Sequence, residues 1–147
     1  MDRRLLEALQ NEFPLVERPY DVLARRLRIS VDGLLARLNR LICDGAVRRM
    51  GASLNSHKLG FYSTLAAISV KPDLVEAAAK AIGEFPEVTH SYLRKDLFNI
   101  WFTIIAPDNE RAEHILEQIR STLSLKDSEV LNLPMTRLFK LDTRFKF

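Results

Sequence analysis

The sequence predicts an α+β protein: a winged helix-turn-helix over residues 1–58, followed by a ferredoxin-like βαββαβ domain over residues 59–147. Three observations predict it. Apolar residues first recur at helical spacing in three short runs, and a tight turn joins the last two. From Tyr62 onward, strand-like and helix-like stretches follow in the order β-α-β-β-α-β. Between residues 88 and 103, two runs of β-branched and aromatic residues flank a short polar connection, which is the pattern of a β-hairpin.

The elements follow in order. Residues 3–13 carry Leu5, Leu6 and Leu9 on one helical stripe, and Pro14 stops the helix. Residues 20–27 place Val22, Leu23 and Leu27 together, with Arg25 and Arg26 outside. Ser30 is a good N-cap for the next helix, and Asp32 suits its positive end. That helix presents Leu34, Leu35, Leu38, Leu41 and Ile42, then ends at Asp44-Gly45, where glycine can take the left-handed conformation. Residues 46–52 read as a strand, the wing. Residues 62–70 are a strand, residues 73–84 an Ala-rich helix capped by Asp73, and residues 109–123 a helix capped by Asp108. Residues 130–141 are extended again, interrupted by Pro134, so the segment bends or lies at an edge.

Composition narrows the function classes. The chain has 147 residues, 47% of them hydrophobic, which is enough for a core. Net charge is +3, and residues 1–58 hold eleven Lys or Arg against seven Asp or Glu, so the positive charge is N-terminal. Such a surplus suits a polyanion. A single cysteine, Cys43, excludes an internal disulfide and fits a reducing compartment. No membrane span, signal-peptide core, zinc spacing or glycine-rich phosphate loop is apparent. A cytoplasmic protein with no metal ligands is expected.

The hairpin gathers the chemistry. Side chains alternate between the faces of a strand. His90, Tyr92 and Arg94 therefore share a face of the first strand. On the second, Ile100, Phe102 and Ile104 face one way, and Asn99, Trp101 and Thr103 the other. With the apolar triplet in the core, the opposite face collects a histidine, an arginine, an amide and two polar-tipped aromatics. His57, in a loop, and His114, on a polar helix face, are less suggestive.

Leu23-Ala24-Arg25-Arg26-Leu27-Arg28-Ile29-Ser30 and Asp44-Gly45-Ala46-Val47 resemble the turn and wing entry of the Lrp/AsnC regulators. Two features depart from them. Arg28 stands where the regulators usually have glycine, and Arg94-Lys95-Asp96-Leu97-Phe98-Asn99 replaces their Gly-x-x-Asp effector turn. A nearer resemblance, covering nearly the whole chain, is to the siroheme decarboxylase branch of that superfamily. It rests on Phe13-Pro14-Leu15 with Arg18-Pro19-Tyr20, on Val47-Arg48-Arg49-Met50-Gly51-Ala52, on residues 88–94 with 99–103, and on Leu133-Pro134-Met135-Thr136-Arg137-Leu138-Phe139-Lys140. Members are paired or fused subunits that remove the carboxylates of two acetate arms of siroheme in haem biosynthesis. The resemblance implies one subunit, nearest the alpha type, with a related second subunit as partner in a heterodimer. It implies no cofactor beyond the iron of the siroheme substrate.

That chemistry assigns roles. His90 is the expected proton donor, with Tyr92 as orienting group or second donor. Siroheme carries eight carboxylates, and arginine clamps carboxylates bidentately. Arg48, Arg49, Arg94 and Arg137 are the candidate clamps. Arg48 and Arg49, adjacent on the wing strand, should point to opposite faces. Trp101 offers a flat surface and an indole N–H, and Asn99 an amide.

Two other readings compete. One is a non-catalytic partner subunit, with the active residues on the other chain. The other is a DNA-binding regulator, for which the third helix offers Arg37, Asn39 and Arg40. Its opening residues, Val31, Asp32 and Gly33, are poor groove readers. No specific DNA binding is expected. A salt series with duplex DNA tests this, and a nanomolar, steeply salt-dependent complex with one sequence would overturn it.

Overall fold

Leu5 is fully buried on helix α1 (Asp2–Asn11), and Leu6 and Leu9 pack beside it. These meet Leu23 and Leu27 of α2 (Pro19–Leu27) and Leu34, Leu38 and Leu41 of α3 (Val31–Cys43) in one apolar cluster. Each such side chain stabilises by about 1.5–3 kcal/mol on burial. The computed structural model describes residues 1–142 and 144–146, and the chain forms two compact units: residues 1–53 with the chain end from 140, and residues 54–139. The sequence reading put the boundary at 58.

The turn between α2 and α3 is a Schellman motif. Arg28 N–H donates to the Arg25 carbonyl at 3.2 Å, and Ile29 N–H to the Ala24 carbonyl at 3.0 Å. The motif needs a left-handed residue at Arg28, which has φ 57°. As expected, Ser30 caps α3, its Oγ accepting from Gly33 N–H at 3.1 Å. A Cβ at Gly33 would come within 2.9 Å of that Oγ, so a side chain there would require the hydroxyl to shift. Gly45 ends the helix at φ 73°.

The wing strand is a correction. Val47 is buried in the helical core, but residues 48–53 are exposed, and residues 46–52 join no sheet. Without a partner strand there is no pleat to send Arg48 and Arg49 to opposite faces.

The second unit is a four-stranded antiparallel sheet in the order β2-β3-β1-β4. Its strands are β1 (Tyr62–Ile68), β2 (Val88–Leu93), β3 (Ile100–Ala106) and β4 (Val130–Pro134). Helices α4 (Val75–Gly83) and α5 (Asn109–Thr122) supply Ala78, Ile82, Ala112, Ile115 and Ile119 to one sheet face. There they meet Ala66, Ile68, Ile100, Phe102 and Ile104. This is the expected βαββαβ order, with both helices on one side.

Local differences have simple causes. Asp73 does not cap a helix. It lies in a 3₁₀ turn, Pro72–Leu74, that leads into α4 without a side-chain cap. Asp108 does cap α5, accepting from Arg111 N–H at 2.7 Å. β4 ends at Pro134 rather than running on to 141, since proline has no N–H for the ladder. No helix among the described residues is long and apolar enough to cross a membrane.

Arg28 generates a prediction. A non-glycine residue in the left-handed region costs on the order of 1 kcal/mol. Arg28→Gly should therefore stabilise the first unit by about 1 kcal/mol. Urea unfolding followed by far-UV circular dichroism should show a higher midpoint. A lower one would mean that the arginine side chain contributes more than its backbone costs.

Candidate functional site

The open sheet face depends on an irregularity in β2. Val88 is paired with Ile104, yet His90 is paired with Thr103, so Thr89 is an extra residue in the ladder. Such a bulge changes which face the following residues take. Val88 packs against the helix-covered core. Beyond the bulge, His90 lies opposite Thr103 and Tyr92 opposite Trp101, both on the face away from the helices. Arg94 N–H donates to the Asn99 carbonyl at 2.7 Å and closes the hairpin. His90, Tyr92 and Arg94 share a face as expected, but alternation alone would have included Val88.

Along β2 these three side chains form a column. The rings of His90 and Tyr92 are stacked, with centroids 6.2 Å apart and planes 15° from parallel. The Arg94 guanidinium carbon lies 5.2 Å from the Tyr92 ring centroid, a cation–π contact. Arg94 also donates to the Leu93 carbonyl at 3.2 Å. His90 Nδ1 lies 3.0 Å from Thr89 Oγ, and its Nε2 has no hydrogen-bond partner among the described residues. Apolar side chains surround the column: Leu65 is 42% exposed and Leu133 44%, with Trp101 and Leu131 half-buried.

Two expected contacts are corrected. The Trp101 indole N–H is not free for a carboxylate, because it donates to the Phe98 carbonyl at 2.7 Å and braces the hairpin turn. Its ring still lies on the open face. The Asn99 amide is likewise engaged by the backbone. Nδ2 donates to the Val70 carbonyl at 2.7 Å, and Oδ1 accepts from Val70 N–H at 3.1 Å. Asn99 thus extends the β1–β3 ladder beyond Ile68, with one amide N–H left over.

The arginines separate. Arg94 belongs to the His90 column. Arg137 follows β4, at the opposite sheet edge, and its guanidinium carbon lies 4.8 Å from the Phe139 ring centroid. Arg48 and Arg49 are exposed in the irregular segment of the first unit. His57 and His114 are exposed and lie outside the column. On α3, Arg37 donates to Asp2 Oδ1 at 3.1 Å, and Arg40 donates to Asp2 Oδ2. One carboxylate of α1 engages both arginines of the would-be reading helix.

Family comparison follows the two units. Residues 2–48 match the siroheme decarboxylase NirDL-like helix-turn-helix domain, and residues 58–140 match the AsnC-like ligand binding domain. The chain is 42% identical over 146 residues to the siroheme decarboxylase alpha subunit of Desulfovibrio desulfuricans, covering 99% of this chain and 83% of that one. The chain belongs to the siroheme decarboxylase family. The fold is similar to the crystal structure of the siroheme decarboxylase NirDL, with TM-score 0.72 and 32% identity, covering 99% of this chain and 47% of that one. It is also similar to the NirDL co-complex with an iron-uroporphyrin III analogue, with TM-score 0.71, 31% identity, and coverage of 97% and 47%. This chain therefore spans about half of NirDL.

In this siroheme decarboxylase subunit the bulge is anchored from below. Glu87 immediately precedes β2, and its carbonyl accepts from Ile105 N–H at 2.9 Å. Its Oε1 accepts from Arg111 Nε of α5 at 2.7 Å, and Arg111 NH2 is also 2.7 Å away. The Arg111 hydrogen bond, aided by its charge, holds the Glu87 carboxyl below the usual carboxylate range. A depressed acid stabilises the fold above its unfolded pKa, about 4.3, and loses that contribution as pH falls through its folded value. Glu87→Gln should lower the thermal midpoint at neutral pH. Its midpoint should also fall less than wild type's between pH 5 and 3. Parallel pH curves for the two proteins would show that the pair contributes nothing.

Proposed function

We propose that this chain binds siroheme on the uncovered face of the β2–β3 hairpin and supplies, from His90, the proton that replaces each lost carboxyl group. The observation that carries this reading is the column of His90, Tyr92 and Arg94, with Nε2 of His90 directed to no described group. Support comes also from the relative whose solved structure holds an iron-uroporphyrin III analogue.

The chemistry is simple to balance. The bond between the acetate methylene and its carboxylate breaks, and carbon dioxide leaves. The electron pair stays on the methylene carbon, where the conjugated macrocycle spreads it. His90 then delivers a proton to that carbon, a methyl group forms, and solvent reprotonates the ring. Histidine is the side chain suited to this exchange near neutral pH. The macrocycle is its own electron sink, so the reading needs no resident cofactor; the iron belongs to the substrate.

Arginines have a different task. A carboxylate that must depart should not be held firmly as an anion, since ground-state binding does not lower the barrier. Arg94 therefore clamps an arm that survives, and Arg137, in the same unit, is a further cation for the remaining carboxylates. Trp101 contributes the face of its ring.

The exposed leucines and Tyr92 require cover, and a related second subunit seated on this face provides it. An unlike partner fits the subunit naming of the relatives. A cytoplasmic setting fits the single exposed thiol, Cys43.

His90→Ala in the assembled enzyme should bind siroheme with little loss but turn over roughly 100- to 10,000-fold more slowly. Arg94→Ala should instead weaken binding roughly ten- to hundredfold, as expected for loss of a charged hydrogen bond. Anaerobic incubation with siroheme, with carboxylate loss followed by mass spectrometry and binding by absorbance, separates the two. Wild-type turnover in His90→Ala would place the donor on the partner subunit and make this chain the non-catalytic one.

A further inference from the structure

We propose that Thr89 is the positioning residue for His90. It acts twice, through its backbone as the bulged residue and through its hydroxyl as the acceptor that holds Nδ1. The proposal rests on His90 being the proton donor.

The backbone argument follows from register. Val88 opposes Ile104, and a regular ladder would continue with Thr89 on Thr103, His90 on Phe102 and Tyr92 on Ile100. Phe102 and Ile100 are core residues under the helices. A regular β2 would therefore turn His90 and Tyr92 toward the covered face and leave Thr89 and Ser91 outside. Inserting Thr89 shifts the pairing by one, so His90 meets Thr103 and Tyr92 meets Trp101 on the open face. One extra residue thus reconciles an inward Val88 with an outward His90.

The side-chain argument follows from hydrogen bonding. His90 Nδ1 and Thr89 Oγ are 3.0 Å apart. In the imidazolium both nitrogens carry protons, and Nδ1–H donates to Oγ. When Nε2 gives its proton to the substrate carbon, the neutral ring that remains keeps Nδ1–H, and the same bond persists. Nε2 is then the nitrogen that both gives and regains the proton, and the ring does not turn over between steps. Stacking on Tyr92 fixes the ring plane, but stacking alone does not distinguish the two nitrogens.

Thr89→Val keeps the β-branched shape and removes the hydroxyl, while Thr89→Ser keeps the hydroxyl. In the assembled enzyme with siroheme, Thr89→Val should lower kcat roughly tenfold, the rate equivalent of one hydrogen bond, at nearly unchanged KM. Thr89→Ser should restore most of it. The second readout does not depend on turnover. In ¹⁵N-histidine-labelled enzyme above the pH at which His90 loses its charge, long-range ¹H–¹⁵N spectra should show the Nδ1–H tautomer in wild type and Thr89→Ser. Thr89→Val should show the Nε2–H tautomer or a mixture.

Wild-type kcat in Thr89→Val alongside an impaired His90→Ala would overturn the proposal while leaving His90 as donor. An Nε2–H tautomer in wild type would overturn the assignment of Oγ as acceptor. Full turnover in His90→Ala would remove the donor reading, and the catalytic role of Thr89 with it. The tautomer spectra would still decide whether Thr89 orients the ring.

Discussion

The open face of this protein depends on one register shift. A sheet covered by helices on one side must send every second side chain inward. β3 obeys strictly, with Ile100, Phe102 and Ile104 buried and Trp101, Thr103 and Ile105 half-buried between them. β2 cannot obey strictly, because it has to anchor Val88 in the core and still present His90, Tyr92 and Arg94 on the other side. The bulge at Thr89 resolves the conflict, and Glu87 fixes where it falls by joining β3 through its carbonyl and α5 through its carboxylate. A slip of one residue would send the whole column to the covered face.

The helical unit commits to its own fold groups that a reading helix would use. A helix-turn-helix reads bases with polar residues at the start of its second helix. Here that start is occupied by the cap, with Ser30 accepting from Gly33 N–H, and Gly33 offers no side chain to a groove. Further along, Arg37 and Arg40 converge on Asp2. Those contacts tie α1 to α3 and spend on the fold two of the cations a groove would need. Arg28 fits the same pattern, since an arginine in the left-handed corner position keeps the turn but adds strain to it.

Much of this was legible in the sequence, for identifiable reasons. The Leu stripes of α1 to α3, the Ala112, Ile115, Leu116 and Ile119 face of α5, and the alternation of β3 are strongly periodic, and periodicity survives into structure. Ser30 and Asp108 were readable as caps because cap chemistry is local. The wing was not, because a strand exists only by pairing, and residues 46–52 have the composition without the partner. Nor were the fates of Trp101 and Asn99, whose polar groups go to the backbone of Phe98 and Val70. The bulge did leave a trace, in the apolar Val88 standing in phase with three polar-tipped residues. Thr89 itself carries no sequence signal beyond its place between the two.

On the proposed reading, the column also separates two tasks that a decarboxylase must not confuse. Residues four apart on a strand stand about 13 Å from one another. His90 and Arg94 are four apart, with the Tyr92 ring between them. The Tyr92 ring thus stands between the guanidinium and the His90 imidazole. The guanidinium's contact with the aromatic face and its bond to the Leu93 carbonyl keep it where it is. At the other end of the column, β3 places Thr103 opposite His90. An acetate arm beside His90 would meet an imidazole rather than a guanidinium, a weaker anchor for a carboxylate that must depart as carbon dioxide. An arm beside Arg94 would meet a planar cation and be retained. On this reading, the order of residues along one strand decides which carboxylates stay and which go.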